Sequence, residues 1–152
     1  MIPVDRGKRS AALAAMTARA RQAVREGRQI IIFPEGTRRP PGAPAAYRFG
    51  VRRLYAELQV PCLPVALNSG LFWPRRSIVQ SRGRIVLACL APLPPGLDPD
   101  IFADTLQASI EAAAADLLAE AVKRQPELKA RLHDARPEIE NQHNGAVDTT
   151  SR

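Results

Sequence analysis

Apolar residues along this chain recur with helical spacing in some segments and form short continuous runs in others. Residues 10–26 show the helical spacing, and Gly27 follows at the C′ position where helices commonly end. Residues 30–33 are four consecutive apolar residues between Gly27 and Pro34, a pattern typical of a short, fully buried strand. In open α/β sheets, ligands bind just beyond the carboxyl ends of strands, so the turn after Pro34 is a candidate site.

The rest of the chain continues this alternation of helices and strands. A proline-rich loop at residues 40–44 cannot be helical, whereas Asp98 and Pro99 make a good N-cap and first helical residue. The order of strand, helix, strand and helix predicts an α/β fold in which helices flank a mostly parallel sheet. The other predicted elements are a helix that ends near residue 58, strands at 62–67 and 84–90, a long helix at 100–124 and a short one at 127–132.

Charge is distributed unevenly and suggests an anionic partner. The net charge is +7, yet residues 1–84 hold 16 basic residues against 4 acidic ones, whereas residues 85–152 hold 6 against 11. A basic half is typical of proteins that bind phosphate esters, anionic lipid headgroups or nucleic acid. Helix-turn-helix, RNA-binding and zinc signatures are missing, so we expect no nucleic acid partner. No apolar run approaches the length of a spanning helix, and there is no secretory signal.

The cysteines and histidines do not form a metal-binding pattern. Cys62 and Cys89 both fall inside predicted strands, and we expect two buried free thiols rather than a disulfide or a metal pair. We therefore predict neither a metal site nor a cofactor. An overall composition of 45% hydrophobic and 24% charged residues is that of an ordinary globular domain. We place this domain at residues 1–124 and expect a polar, largely disordered tail at 125–152.

Three stretches resemble signature blocks of one enzyme family. Phe33-Pro34-Glu35-Gly36-Thr37-Arg38 resembles the third block of the glycerolipid acyltransferases, the family that includes 1-acylglycerol-3-phosphate acyltransferase. Residues 2–6 (Ile-Pro-Val-Asp-Arg) look like the second block, and residues 60–68 look like the fourth. The three blocks occur in the family's order, and the resemblance covers roughly residues 1–120. The third block is highly specific, whereas the other two carry weight mainly through their order.

The resemblance implies an activity and a set of binding residues. Members transfer a fatty acyl group from an acyl-CoA or acyl-carrier-protein thioester to 1-acylglycerol 3-phosphate, giving phosphatidic acid for phospholipid biosynthesis. By this likeness Arg6 and Arg38 would converge on the acceptor phosphate, because charge-assisted hydrogen bonds to phosphate are about twice as strong as neutral ones. Glu35 has a plain alternative role, which is to orient Arg38. The resemblance implies substrate binding by Arg6, Glu35, Gly36, Thr37, Arg38, Arg48, Pro64 and Asn68.

The family's catalytic block is not found in this chain. Members carry His-x-x-x-x-Asp, in which the histidine deprotonates the acceptor hydroxyl, and this block would lie upstream of Met1. We therefore predict no catalytic residue here and expect a chain truncated at its N-terminus. His133 precedes Glu138 at the same spacing, but it follows the other blocks in a polar segment, which favours a solvated histidine.

Two interpretations of the whole chain remain open. In the first, it is the phosphate-binding part of an acyltransferase, cytoplasmic and peripheral at the inner face of the cell membrane. In the second, it is a catalytically incomplete module that binds anionic lipid or phosphate esters at the membrane surface. The apolar residues 71–74, followed by two arginines, could contact acyl chains or membrane, or could equally pack on the sheet.

Overall fold

A computed structural model describes residues 9–74 and 80–132, with the side chains of the first helix given from residue 13 onward. The predicted helices are confirmed, and Pro126–Arg131 forms a 3-10 helix where a short helix was expected. In chain order the elements are α1 (Arg9–Arg25), α2 (Phe49–Leu58), β1 (Val65–Leu67), α3 (Ser69–Phe72), β2 (Leu87–Cys89) and α4 (Pro99–Arg124).

Helix α4 begins as the sequence predicts. The Asp98 carboxylate accepts hydrogen bonds from the backbone N–H groups of Asp100 and Ile101, at 2.9 and 3.2 Å. Pro99 occupies the first helical position, where its missing N–H costs nothing. Lys123 and Arg124 lie in the last turn, where positive charge interacts favourably with the helix dipole. These local signals fix the start and the end of the longest helix.

The main hydrophobic core lies between α2 and α4. Phe102 is fully buried, and its ring stacks on Tyr55 with ring centroids 3.6 Å apart and planes tilted by 2°. The Tyr55 hydroxyl donates to the carbonyl of Pro94 at 2.5 Å and accepts from the N–H of Leu97 at 2.9 Å. Tyr55 therefore satisfies its polar atom while it packs, and it ties α2 to the segment that leads into α4. Val51 and Leu106 complete the buried part of this cluster.

A second cluster joins α3 to the end of α4. Leu71 and Phe72 are buried beside Ala121 and Leu128, and the last of these lies in the 3-10 helix. Residues 126–131 therefore pack against the domain, although sequence placed them in the polar tail. The domain boundary at residue 124 remains a prediction, and residues 133–152 lie outside the described part of the chain.

The sheet differs from the prediction of a mostly parallel arrangement. Within the described residues it has two strands, and β1 pairs antiparallel with β2 in the register Ala66 to Ala88. Asn68 explains the direction, because its side chain accepts from the N–H of Val86 at 2.9 Å and donates to the carbonyl of Arg84 at 3.3 Å. The returning chain is thus fixed beside the carboxyl end of β1, from which it can only run backwards along that strand.

The apolar run at residues 30–33 is not a buried strand in this structure, so that prediction was wrong here. Ile31 is 82% exposed and Phe33 is 73% exposed. Among the described residues no strand pairs with this segment, and the sheet consists of β1 and β2 alone. A strand that is buried on both faces needs neighbouring strands to satisfy its backbone, and residues 9–74 and 80–132 supply none beside it.

The cysteine prediction is confirmed in part. Both thiols are free, but Cys89 is exposed on β2 rather than buried, and Cys62 is half-buried. A two-stranded sheet leaves one face uncovered, which accounts for the exposure of Cys89 and of its neighbour Leu87. Burial raises the pKa of the Cys62 thiol, which disfavours the reactive thiolate form. None of the described helices has the length and apolar content required to cross a bilayer.

Candidate functional site

The Pro-Glu-Gly-Thr-Arg motif begins a closed loop, which we call the motif loop and define as residues 34–48. Its two ends meet where the N–H of Arg48 donates to the carbonyl of Pro34 at 2.8 Å. A tight turn forms where the N–H of Gly36 donates to the carbonyl of Phe33 at 3.0 Å. Surface loops whose ends meet in this way are frequently functional. The sequence prediction of a turn carrying polar groups after Pro34 is confirmed.

Gly36 has a backbone conformation that a side chain would strain. Its φ is +67°, in the left-handed region that glycine adopts without a steric cost. The side chain of Arg48 passes close by, since a Cβ built at Gly36 would lie 3.5 Å from Arg48 Cγ. Arg48 Nε also donates to the carbonyl of Glu35 at 3.3 Å. The turn at Gly36 therefore lies directly against the arginine that closes the loop.

Glu35 turns toward the inside of the motif loop. Its carboxylate lies 3.7 Å from Arg39 Nε, and only a quarter of the side chain is exposed. Burial raises the pKa of this carboxyl, and the negative charge of Glu111 acts in the same direction. The N–H of Ala46 and the charge of Arg39 oppose this rise in pKa by stabilising the ionised form. Glu35 thus pairs with Arg39 rather than with Arg38, the partner that the sequence suggested.

A tyrosine fastens the motif loop to the longest helix. The Tyr47 hydroxyl donates to Glu111 Oε1 on α4 at 3.0 Å, in a half-buried position. Burial and this hydrogen bond raise the pKa of Tyr47 well above its ordinary value of 10.0. The other side of the loop packs against α3, since a Cβ at Gly70 would lie 3.0 Å from Pro41 Cγ. The loop is therefore held on two sides by elements that are themselves anchored in the core.

Two arginines of the motif loop, Arg38 and Arg48, have no carboxylate partner in the part of the chain that the structure describes. Among residues 9–74 and 80–132, every ion pair involves an arginine other than Arg38 and Arg48, and no carboxylate lies within salt-bridge distance of either of these two. The Arg38 guanidinium instead faces the ring of Trp73, with 5.8 Å from its central carbon to the ring centroid. A loop with two guanidiniums that have no carboxylate partner among the described residues, together with a glycine turn, is suited to bind a doubly charged anion such as a phosphate ester.

The other predicted binding residues have varied positions. Thr37 is exposed on the motif loop. Pro64 is buried, and its carbonyl accepts from the N–H of Leu90 at 3.0 Å. Asn68 is 2% exposed, and both polar atoms of its side chain are engaged by the chain that leads into β2. Arg6 lies outside the described residues, so its distance from Arg38 stays a prediction.

Sequence reasoning missed Tyr47 as a residue that anchors the motif loop, and it missed two residues that contact the loop, Glu111 and Trp73. Tyr47 and Glu111 are 64 positions apart, and nothing in either local pattern indicates the contact. Trp73 did carry a signal, because an apolar segment followed by arginines stood out from its surroundings. The structure shows the aromatic ring facing Arg38, which is a contact that neither of the two open interpretations of residues 71–74 included.

Comparison with known proteins agrees with the motif-based resemblance. The sequence profile of the family described as Acyltransferase matches residues 1–68. A 1-acyl-sn-glycerol-3-phosphate acyltransferase from Pseudomonas aeruginosa is 32% identical over 84 residues, which are 55% of this chain and 33% of that relative. A 1-acyl-sn-glycerol-3-phosphate acyltransferase alpha from Ovis aries is 29% identical over 102 residues, which are 66% of this chain and 36% of that protein.

A plant protein extends the same pattern. A 1-acyl-sn-glycerol-3-phosphate acyltransferase from Cocos nucifera is 29% identical over 91 residues, which are 59% of this chain and 30% of the relative. The chain spans about a third of the length of the curated relatives that it matches. No solved structure matches it significantly.

Proposed function

We propose that the chain belongs to the glycerolipid acyltransferase family, to whose members it is similar, and that it is the phosphate-binding part of a 1-acylglycerol-3-phosphate acyltransferase. The observation that carries this proposal is the pair of arginines on the motif loop, Arg38 and Arg48, which have no carboxylate partner among the described residues. A phosphate monoester dianion would accept hydrogen bonds from both guanidiniums. Glu35 would hold Arg39 away from that phosphate, which leaves the other two guanidiniums to the ligand.

The proposed reaction transfers one acyl group from the sulfur of a thioester to the hydroxyl oxygen of the acceptor. The acceptor hydroxyl oxygen forms an ester bond to the acyl carbon of an acyl-CoA or acyl-carrier-protein thioester, and the carbon–sulfur bond breaks. The proton of the hydroxyl leaves with the thiol. A base must accept that proton in between, and the described residues contain no histidine, since His133 and His143 lie outside them. This chain's part in the reaction is to hold the acceptor by its phosphate.

Three further inferences accompany this proposal. The relatives are all named as acyltransferases, so a lipid-binding module without activity is not favoured. We place the protein at the inner face of the cell membrane, where a basic half meets anionic lipid. We also infer that residues 30–33 join a mostly parallel sheet when further strands are present, because this would cover the exposed side chains of Ile31 and Phe33.

A calorimetric titration of the 152-residue chain with glycerol 3-phosphate tests the proposal. Each hydrogen bond to a charged group contributes about 1.5–3 kcal/mol, so Arg38→Ala and Arg48→Ala should each weaken binding by about 10- to 150-fold. Arg19→Ala is the matched control, because Arg19 is exposed on α1 and its loss changes the net charge equally. Glycerol without the phosphate should not bind. Equal losses in all three variants would mean that only the overall positive charge attracts the ligand, and the proposal would be wrong.

A further inference from the structure

Trp73 has a fixed backbone and a half-exposed side chain. It directly follows α3, and its N–H donates to the carbonyl of Ser69 at 2.9 Å. The two preceding residues, Leu71 and Phe72, are almost completely buried and anchor this segment in the second core cluster. Trp73 itself is 52% exposed, so the core does not need its ring. The core therefore anchors the backbone of Trp73, and the side chain is available for contacts at the surface.

Arg38 is exposed, and its guanidinium lies over the ring of Trp73, with 5.8 Å from its central carbon to the ring centroid. A guanidinium is planar and directs its five N–H donors outward within that plane. An aromatic ring can interact with the face of the guanidinium, which leaves the edge to hydrogen-bond acceptors. Stacking on Trp73 and binding of a phosphate at the edge can therefore occur together. An arginine on an exposed loop would otherwise lose rotamer freedom when its ligand binds, which weakens affinity. A ring that restrains the side chain in advance reduces that cost.

Resting on the proposed function, we propose that Trp73 is a positioning residue that holds the Arg38 guanidinium ready for the phosphate of the acceptor. It would contact Arg38 rather than the phosphate itself. Arg52 offers a comparison, because its guanidinium also lies over an aromatic ring, with 4.6 Å from its central carbon to the centroid of the Phe49 ring. Arg52 is neutralised by Asp100, whereas Arg38 has no carboxylate partner among the described residues. The guanidinium over Phe49 thus also forms an ordinary ion pair, whereas the guanidinium over Trp73 has no carboxylate partner among the described residues.

A double-mutant cycle between Trp73 and Arg38 tests the proposal, with glycerol 3-phosphate affinity measured by calorimetry. A cation–π contact at an exposed site corresponds to a loss of about two- to five-fold in affinity, which we expect for Trp73→Leu. Trp73→Phe keeps an aromatic face and should retain most of the affinity. In an Arg38→Ala background, Trp73→Leu should have no further effect, because the residue through which it acts is gone. Phe49→Leu is the control and should leave affinity unchanged.

The outcomes separate this inference from the proposed function. If Arg38→Ala leaves phosphate affinity unchanged, the proposed function fails and the role of Trp73 fails with it. If Arg38→Ala weakens binding and Trp73→Leu does not, the proposed function stands and only the inference is overturned. An equal effect of Trp73→Leu with and without Arg38 would also overturn it, because the tryptophan would then act independently of the arginine.

Fluorescence gives a second readout that does not depend on a substitution at Trp73. The chain contains a single tryptophan, so its emission reports on this one ring. Glycerol 3-phosphate and inorganic phosphate should both shift the emission of the unmodified chain, because each would alter the charge that faces the ring. The shift should vanish in Arg38→Ala and persist in Arg19→Ala. Emission that does not respond while calorimetry detects binding, or that responds equally in Arg38→Ala, would contradict the inference.

Discussion

Replacing Gly36 by alanine separates the shape of the motif loop from its charge. Gly36 has a φ of +67°, and a Cβ there would meet Arg48 Cγ at 3.5 Å, which is an ordinary van der Waals contact. The cost of Gly36→Ala therefore comes from the backbone rather than from a clash. An L-residue in the left-handed region costs about 1–2 kcal/mol. The loop with alanine should therefore adopt its observed conformation less often than the loop with glycine.

The expected loss of affinity follows from that cost. A penalty of about 1–2 kcal/mol shifts the equilibrium away from the binding-competent conformation by about 5- to 30-fold, and the apparent affinity for glycerol 3-phosphate falls by up to the same factor. Gly36→Asn should lie between glycine and alanine, because asparagine tolerates the left-handed region better. Calorimetry at constant salt measures both variants. Urea denaturation of the same samples shows whether the fold as a whole has lost stability.

Gly27 provides the matched control for this prediction. It has nearly the same conformation, with a φ of +69°, and no atom lies within 4 Å of a Cβ built there. Gly27→Ala should therefore strain the backbone as much as Gly36→Ala, but at the end of α1 and away from the motif loop. We expect it to reduce stability and to leave glycerol 3-phosphate affinity unchanged. Unaltered affinity in Gly36→Ala, or equal losses at both positions, would refute the idea that the turn shapes the site.

Three other predictions concern packing, exposure and titration. Gly83→Ala should destabilise the fold by about 1–3 kcal/mol in urea denaturation, because a Cβ there would overlap the Phe72 ring. Gly50→Ala on α2 is the control, since a Cβ there meets nothing within 4 Å and should not clash. Equal effects of the two substitutions would contradict this prediction. Ile31→Ser should change the free energy of unfolding of the 152-residue chain by less than about 0.5 kcal/mol, since the side chain is 82% exposed; a loss of several kcal/mol would show that this residue is buried. The pKa of Tyr47 is raised above its ordinary value of 10.0, so the fold favours the protonated phenol. The resulting contribution to the stability of the fold is present below pH 10 and is lost as the pH rises above 10. The urea midpoint should therefore fall more steeply above pH 10 in the unmodified chain than in Tyr47→Phe, and parallel curves would refute the assignment.

The helices could be predicted because their signals are local. The Asp98 side chain caps α4 two and three residues away, and Gly27 ends α1 through its own conformation. The motif loop could be located for the same reason, since Pro34 and Gly36 determine a turn without help from distant residues. Such features depend on near neighbours in the chain, so a single sequence contains them.

The sheet and the contacts of the site could not be predicted in this way. The direction of β2 depends on Asn68, whose side chain binds residues that follow much later in the chain. The exposure of Ile31 depends on whether another strand lies beside it, which the apolar pattern alone does not say. Tyr47 reaches Glu111 across 64 positions, and Arg38 meets Trp73 through packing of the loop on α3. Each of these is a tertiary contact between segments whose local patterns are independent.

Nuclear magnetic resonance of the arginine side chains tests most directly whether the motif loop binds the phosphate. The Nε–H resonances of Arg38, Arg48 and Arg19 can be assigned by substituting each residue in turn. Titration with glycerol 3-phosphate should shift the resonances of Arg38 and Arg48 with one common dissociation constant, and that of Arg19 should stay in place. A titration that shifts the α1 arginine as much as the other two, or that leaves Arg38 and Arg48 unchanged, would contradict phosphate binding by this loop.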